Sequence, residues 1–156
     1  GINEMSTALK RRFNFETVHP IADFDEEMAL VQRETNRLLK RASVTTELTP
    51  DLTELLVCAF RELRSAKTRE GKGLEPLNSV LSTAEAISTG FAAGIHASYF
   101  NSEAMAAEHV VQHLVGSVIK DDPDDIKKLR HYFNHVASKR KSAIWRDFYA
   151  ARTLLE

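Results

Sequence analysis

Apolar residues return every three or four positions along most of the chain, the spacing that puts one face of a helix into a core. Met28, Val31, Thr35 and Leu38, with Leu39 beside them, form the first clear stripe. It opens at Asp23, with Glu26 three residues later as in a capping box. Thr49-Pro50-Asp51 then supplies an N-cap, a proline at the first helical position and an acid in the first turn. The stripe Leu52, Leu55, Leu56, Ala59, Leu63 and Ala66 predicts a second helix to about Lys67, followed by a glycine-punctuated loop from Arg69 to Leu74. Pro76 predicts the start of a third helix reaching at least Ile95, and its Gly90 and Gly94 suggest close approach by neighbouring helices. A fourth is predicted from about Ser102 to Ile119 with the stripe Ala104, Ala107, Val111, Leu114 and Val118. In Asp121-Asp122-Pro123-Asp124-Asp125, Asp122 reads as a cap and Pro123 as the first position, with acids facing the positive end of the helix dipole. Ile126, Leu129, Phe133, Val136, Ala143, Trp145 and Phe148 carry the rhythm onward, with a break expected near Ser138 to Ser142.

One segment departs from this period. Glu4 to Arg12 looks like the end of a helix, and Phe13 to His19 alternates like a half-buried strand that stops at Pro20. The fold expected is all-α: a helical bundle with a short N-terminal strand remnant and extra C-terminal helices. The chain opens Gly1-Ile2-Asn3 without a methionine, so a processed or truncated piece is expected.

Composition narrows the function. At 156 residues the chain is sized for one compact domain. Lys and Arg number 21 against 22 Asp and Glu, a net charge of −1 that argues against a dedicated nucleic-acid binder. The single Cys58 excludes an internal disulfide framework and fits a reducing, cytoplasmic setting. The stretch from Ala86 to Ser102 lacks Asp, Glu, Lys and Arg but is rich in Gly, Ala and Ser, a poor membrane span.

Local chemistry is sparse. Gly71-Lys72 is followed by Gly73, and Ala66 stands where a phosphate loop needs its first glycine. Asp25-Glu26 reads as helix capping rather than a magnesium-binding acid pair. The pairs His109/His113 and His131/His135 have i,i+4 spacing, which can serve a metal. Each lies about 200° from its helix's apolar stripe, so both are expected to face solvent. Lys127 and Lys139 flank the second pair and repel cations. Lys139-Arg140-Lys141 with Trp145, Arg146 and Tyr149 could contact nucleic acid, but a solvated face with a buried tryptophan is the more common arrangement. Cys58, between Val57 and Ala59, reads as core.

Leu9-Lys10-Arg11-Arg12-Phe13, the strand, Pro20 and the acidic start at Asp23 to Glu27 resemble the end of an AAA+ ATPase core of the MoxR-like type. There, a helix ending in a Leu-x-x-Arg-Phe pattern leads into the last core strand and then into a helical lid. The resemblance implies that residues 1–20 are a remnant of the α/β core, 21–97 the lid and 98–156 a further C-terminal helical segment, which itself matches no family motif. It implies that Arg12, with Arg11 beside it, reaches the γ-phosphate in a neighbouring subunit, where a planar, always-charged fork stabilises the transferred phosphoryl group. The family's sensor arginine has no counterpart, because Glu75-Pro76-Leu77 occupies that place; Arg69 or Lys72 could substitute. The resemblance further implies ATP and Mg in the intact protein, a ring of subunits, and protein clients, often with von Willebrand A-type domains. The chain alone, lacking the phosphate loop, is expected to be inactive. The competing expectation is a free-standing helical protein–protein interaction module without nucleotide chemistry.

Overall fold

The computed structural model describes residues 20–101, 104–120 and 122–155. The expected strand from Phe13 to His19 and the helix end before it lie outside them. Among the described residues the chain is helical: α1 (Phe24–Arg41), α2 (Pro50–Ser65), α3 (Thr83–His96), α4 (Ala107–Val118), α5 (Asp125–His135) and α6 (Ala143–Ala150). A π-helical turn (Ala97–Asn101) continues α3, and 3-10 segments (Ala137–Lys139 and Ala151–Leu155) flank α6. The only β feature there is an isolated bridge between Lys67 and Gly73.

The first two helices start where their caps place them. Asp23 accepts the Glu26 N–H at 2.8 Å, and Thr49 accepts that of Leu52 with Pro50 at the first position. α2 ends at Ala66, whose φ of 50° turns the chain out of the helix. The expected interruption after α5 is also present, as the 3-10 segment Ala137–Lys139.

Three helix starts fall later than the sequence predicts. The third helix begins at Thr83, not Pro76, because Asp125 draws the preceding segment away by accepting the N–H groups of Asn78 and Ser79 at 2.9–3.0 Å. The start is instead fixed by a complete capping box between Ser82 and Glu85. The fourth helix begins at Ala107 rather than near Ser102, with the His109 ring accepting the Ala106 N–H at 3.1 Å. Ala104, placed on the stripe by its spacing, is exposed and precedes the helix. The fifth begins at Asp125: Asp122 and Pro123 lie before it, and the Asp122 carboxylate accepts the Asp124 N–H.

α3 is the central element. It packs on α1, α2 and α4, while α4 in turn meets α5, α6 and the last 3-10 segment. One hydrophobic cluster runs from Val31 in α1 through Phe60, Leu114 and Phe133 to Phe148 and Leu155. Gly94 shows why small residues line α3: a Cβ there would stand 2.6–2.9 Å from the Leu39 methyls and the Met105 methyl. The close approach expected of Gly94 is therefore real: an added Cβ would make the ends of the Leu39 and Met105 side chains shift.

Candidate functional site

The end of the molecule where the chain enters α1 is organised by one buried acid. Glu27 sits in the first turn of α1 and is 1% exposed. Arg61 and Arg64, one turn apart on α2, reach it at 2.9–3.2 Å, and the Thr83 hydroxyl at the start of α3 donates to it at 2.6 Å. Burial opposes its ionisation, but the hydrogen bonds from Arg64, Thr83 and Arg61 outweigh it, so the pKa lies below the ordinary glutamate value. The carboxylate thus ties three helices together. Arg61 does more: its guanidinium also donates to the carbonyls of Ile21, Ala22 and Asp23 at 2.7–3.2 Å. The approach to α1 is thereby fastened to α2.

A second buried acid, Glu62, sits one residue further along α2. Its carboxylate accepts the Arg69 N–H at 2.6 Å, the Tyr132 hydroxyl at 2.5 Å and the Arg140 guanidinium. Burial and the nearby Glu62 charge push the Tyr132 phenol well above its usual range, so it remains a donor. Arg140 also contacts Cys58 Sγ and lies 4.1 Å over the Trp145 ring. Burial, with Glu62 adding to it, raises the Cys58 thiol despite Arg140, consistent with a core cysteine rather than a nucleophile.

The loop that carries Arg69 and Lys72 follows α2 and is joined to Glu62 through the Arg69 N–H. It closes through the Thr68 N–H to the Lys72 carbonyl and the Leu74 N–H to the Ala66 carbonyl, both 2.7 Å, with Gly71 supplying the positive φ of 86° the turn requires. The two cations diverge. Arg69 lies over the Phe24 ring, 5.0 Å from its centroid, pairs with Glu54 at 2.9 Å, and lines a cavity of about 290 Å³ with Phe24 and Arg61. Lys72 lines a different groove on the α5 side. They do not converge on one site. The first turn of α3 holds Thr83, Ala84 and Glu85, so it carries no arginine. Arg11 and Arg12 lie outside the described residues.

The opposite end of α3 holds imidazoles. His109 is buried, not solvent-facing as its angle from the α4 stripe predicts, because α4 is packed on several sides. His113 is half-buried, with its Nε2 3.3 Å from His96 Nδ1. Burial, then the neighbouring His96 and His109, lower the His113 pKa. His131 and His135 are exposed, as expected. Among the described residues, no group of three or more His, Cys, Asp and Glu is arranged to hold a metal ion. No helix among them is long and apolar enough to cross a membrane.

Sequence reasoning missed Arg61, Arg64 and the burial of Glu27 and Glu62. The available signal was Arg61 and Arg64 at i,i+3 on a helix whose other face is apolar.

Comparison with known proteins places these features. Residues 25–156 match the family model for the YehL-like AAA+ ATPase C-terminal domain. The chain is 39% identical over 152 residues to the uncharacterized protein YehL of Escherichia coli strain K12, an alignment covering 97% of this chain and 42% of that protein. The chain thus spans less than half the length of this relative. No solved structure matches. With the family model covering the helices from α1 to the last 3-10 segment, the chain belongs to the YehL-like AAA+ ATPase C-terminal domain family.

Proposed function

We propose that this chain is the lid-bearing part of a MoxR-like AAA+ ATPase that, in the intact protein, closes over Mg-ATP and passes the effect of hydrolysis to protein partners. The observation that carries this reading is the Arg61 clamp. One guanidinium joins three consecutive backbone carbonyls ahead of α1 to Glu27 within it. A lid must move as a rigid body when the segment leading into it moves, and such a clamp supplies that rigidity at the entrance. In this reading Arg12 serves the neighbouring subunit's γ-phosphate, with Arg11 beside it, and Arg69 or Lys72 takes the place of a sensor arginine. Its partners are neighbouring subunits of a ring and client proteins, including those with von Willebrand A-type domains. The setting is cytoplasmic and involves neither membrane nor nucleic acid.

The test is made in the intact protein. Arg12→Ala should lower ATP turnover by about 10³ while leaving nucleotide affinity and ring assembly nearly unchanged, since such an arginine serves charge that develops in the transition state. Arg12→Lys should rescue poorly, because a point charge lacks the planar fork. Wild-type turnover in both Arg12→Ala and Arg11→Ala would remove the interface role.

A further inference from the structure

α3 is packed on three sides and open on the fourth. Ala86, Thr89, Gly90, Ala93 and Gly94 are buried against its neighbours. α1 closes one edge, where Thr35 Oγ1 donates to the Ile87 carbonyl at 3.5 Å, and α4 closes the other, where the Thr89 and Ser117 hydroxyls meet at 2.8 Å. The remaining side looks outward, since Ile95 lies about 200° round the helix from Ala93. Ala84 and Ser88 are exposed there, and Phe91, Ala92 and Ile95 are half-buried. The π-helical turn adds Tyr99 and Phe100, 66% and 77% exposed. From Ala86 to Asn101 the chain has no Asp, Glu, Lys or Arg. Glu85, the last charge before it, is taken up by Lys120 and Ser82. A helix with one wet face turns charges to the water, and a helix without them is covered all round. Among the described residues, nothing covers this side of α3.

The chemistry of this side selects its occupant. A two-fold contact sets a surface against itself, so any charge near the axis meets its like. A face free of charge escapes that repulsion. Its relief also fits itself. Ile87, Phe91 and Ile95 form one ridge at i,i+4 spacing, and Ala84, Ser88 and Ala92 form a lower ridge beside it. With the two-fold running along the helix, the high ridge of each copy lies over the low ridge of the other. Ser88 brings no unpaired hydroxyl into the contact, because it already donates to the Ala84 carbonyl at 3.0 Å. We propose that the outer face of α3 docks on the same face of a second copy of this chain, the two helices parallel. The stripe from Ala84 to Phe100 is about 24 Å long. One helix pair of that length covers less than the ~800 Å² per partner of a standard interface. The dimer is accordingly weak, with a Kd on the order of 100 μM. A ring contact joins two different faces head to tail, so this inference is independent of the ring and of Arg12.

The experiment is sedimentation equilibrium of the full chain from about 10 μM to about 1 mM, a range that brackets such a Kd. A monomer–dimer equilibrium that stops at two is expected, since a two-fold contact closes. Ser88→Arg places a charge from each copy at the contact and should weaken the dimer at least about tenfold. Ser88 is exposed, so helicity should be unchanged; Tyr99→Lys, at another exposed position, makes the same test if Ser88→Arg folds poorly. Mixing Ser88→Arg with Ser88→Glu should restore a mixed dimer, a rescue that requires the face to meet itself. The proposal is overturned by a chain that stays monomeric at the highest concentration, by a dimer indifferent to both substitutions, or by failure of the mixed pair to associate. A monomeric chain whose Ser88 is shielded from solvent in the intact protein would overturn it too, assigning the face to the rest of that protein. ATP turnover of Arg12→Ala bears on none of these outcomes, so the two readings fail separately.

Discussion

The two ends of α3 solve the problem of burying polar groups in opposite ways. At its start, unlike groups meet: Thr83 and two arginines surround Glu27, and Ser82 and Lys120 hold Glu85. At its end, like groups meet: His96 faces His113 and His109, with Phe100 5.2 Å away. A cluster of opposites is strengthened by charge, whereas a cluster of imidazoles tolerates at most part of it. One helix therefore has an end that needs its ions and an end where burial and neighbouring imidazoles disfavour charge on His113.

The largest effect should come from the charged end. Glu27→Ala strands Arg61 and Arg64, whose side chains are 27% and 15% exposed. Breaking such a pair from one side costs about 3–5 kcal/mol, measurable by urea unfolding. A loss below about 1 kcal/mol would mean the cluster behaves like a surface ion pair, and the contrast between the ends would collapse.

Next in size is the apolar seam beside the imidazole end. Gly94→Ala forces a methyl into the Leu39 and Met105 side chains and should cost about 1–3 kcal/mol. Adding Leu39→Val should recover part of the loss, because substitutions sharing one contact are not additive. Simple additivity in a thermal melt would show that the helices separate instead of repacking.

The smallest effect, and the sharpest test of the contrast, is with pH. The His113 pKa is lower in the folded chain than its ordinary value of 6.5, so the unfolded chain binds more protons just below that pH. The stability it contributes is complete above about pH 6.5 and is lost as pH falls toward the folded value. His96 and His109 are the titratable groups acting on it, after burial. Glu27, also lowered, keeps its contribution above about pH 4.5 and loses it only below. Unfolding followed from pH 7.5 to 4 should show two separate declines, and His113→Gln should flatten the upper one alone. A single decline below pH 4.5 in the wild-type chain would show that the imidazoles carry no penalty.

These contrasts also mark what the sequence could reveal. Caps at Asp23 and Thr49, the stripe of α2 and the small residues of α3 are local or periodic, and all were legible. Pro76 misled because a proline at a helix start is only permissive. Asp125, 47 residues away, holds Asn78 in a non-helical path, and no local rule contains that contact. Asp125 itself looked like one more acid at a helix start. It is fully buried, and although burial opposes its ionisation, the Asn78 and Ser79 N–H groups and Lys128 bring its pKa to about 2. His109 misled because a single stripe describes a helix packed on one side, and α4 is packed on several. Of the candidate site, the loop bearing Arg69 and Lys72 was found, but their separation was not. Which way a long cation leans is decided by Phe24 and Glu54 on one side and by α5 on the other.

The stacking of Arg140 on Trp145 has an optical consequence. Trp145 is the chain's single tryptophan, so all indole emission comes from a ring capped by the guanidinium that also joins Glu62 to Glu70. Any event that withdraws Arg140, such as loosening of α6 from α2, exposes that ring to water. The emission should then move to longer wavelength while the far-ultraviolet helical signal stays constant, giving the molecule a native spectroscopic gauge of this one junction.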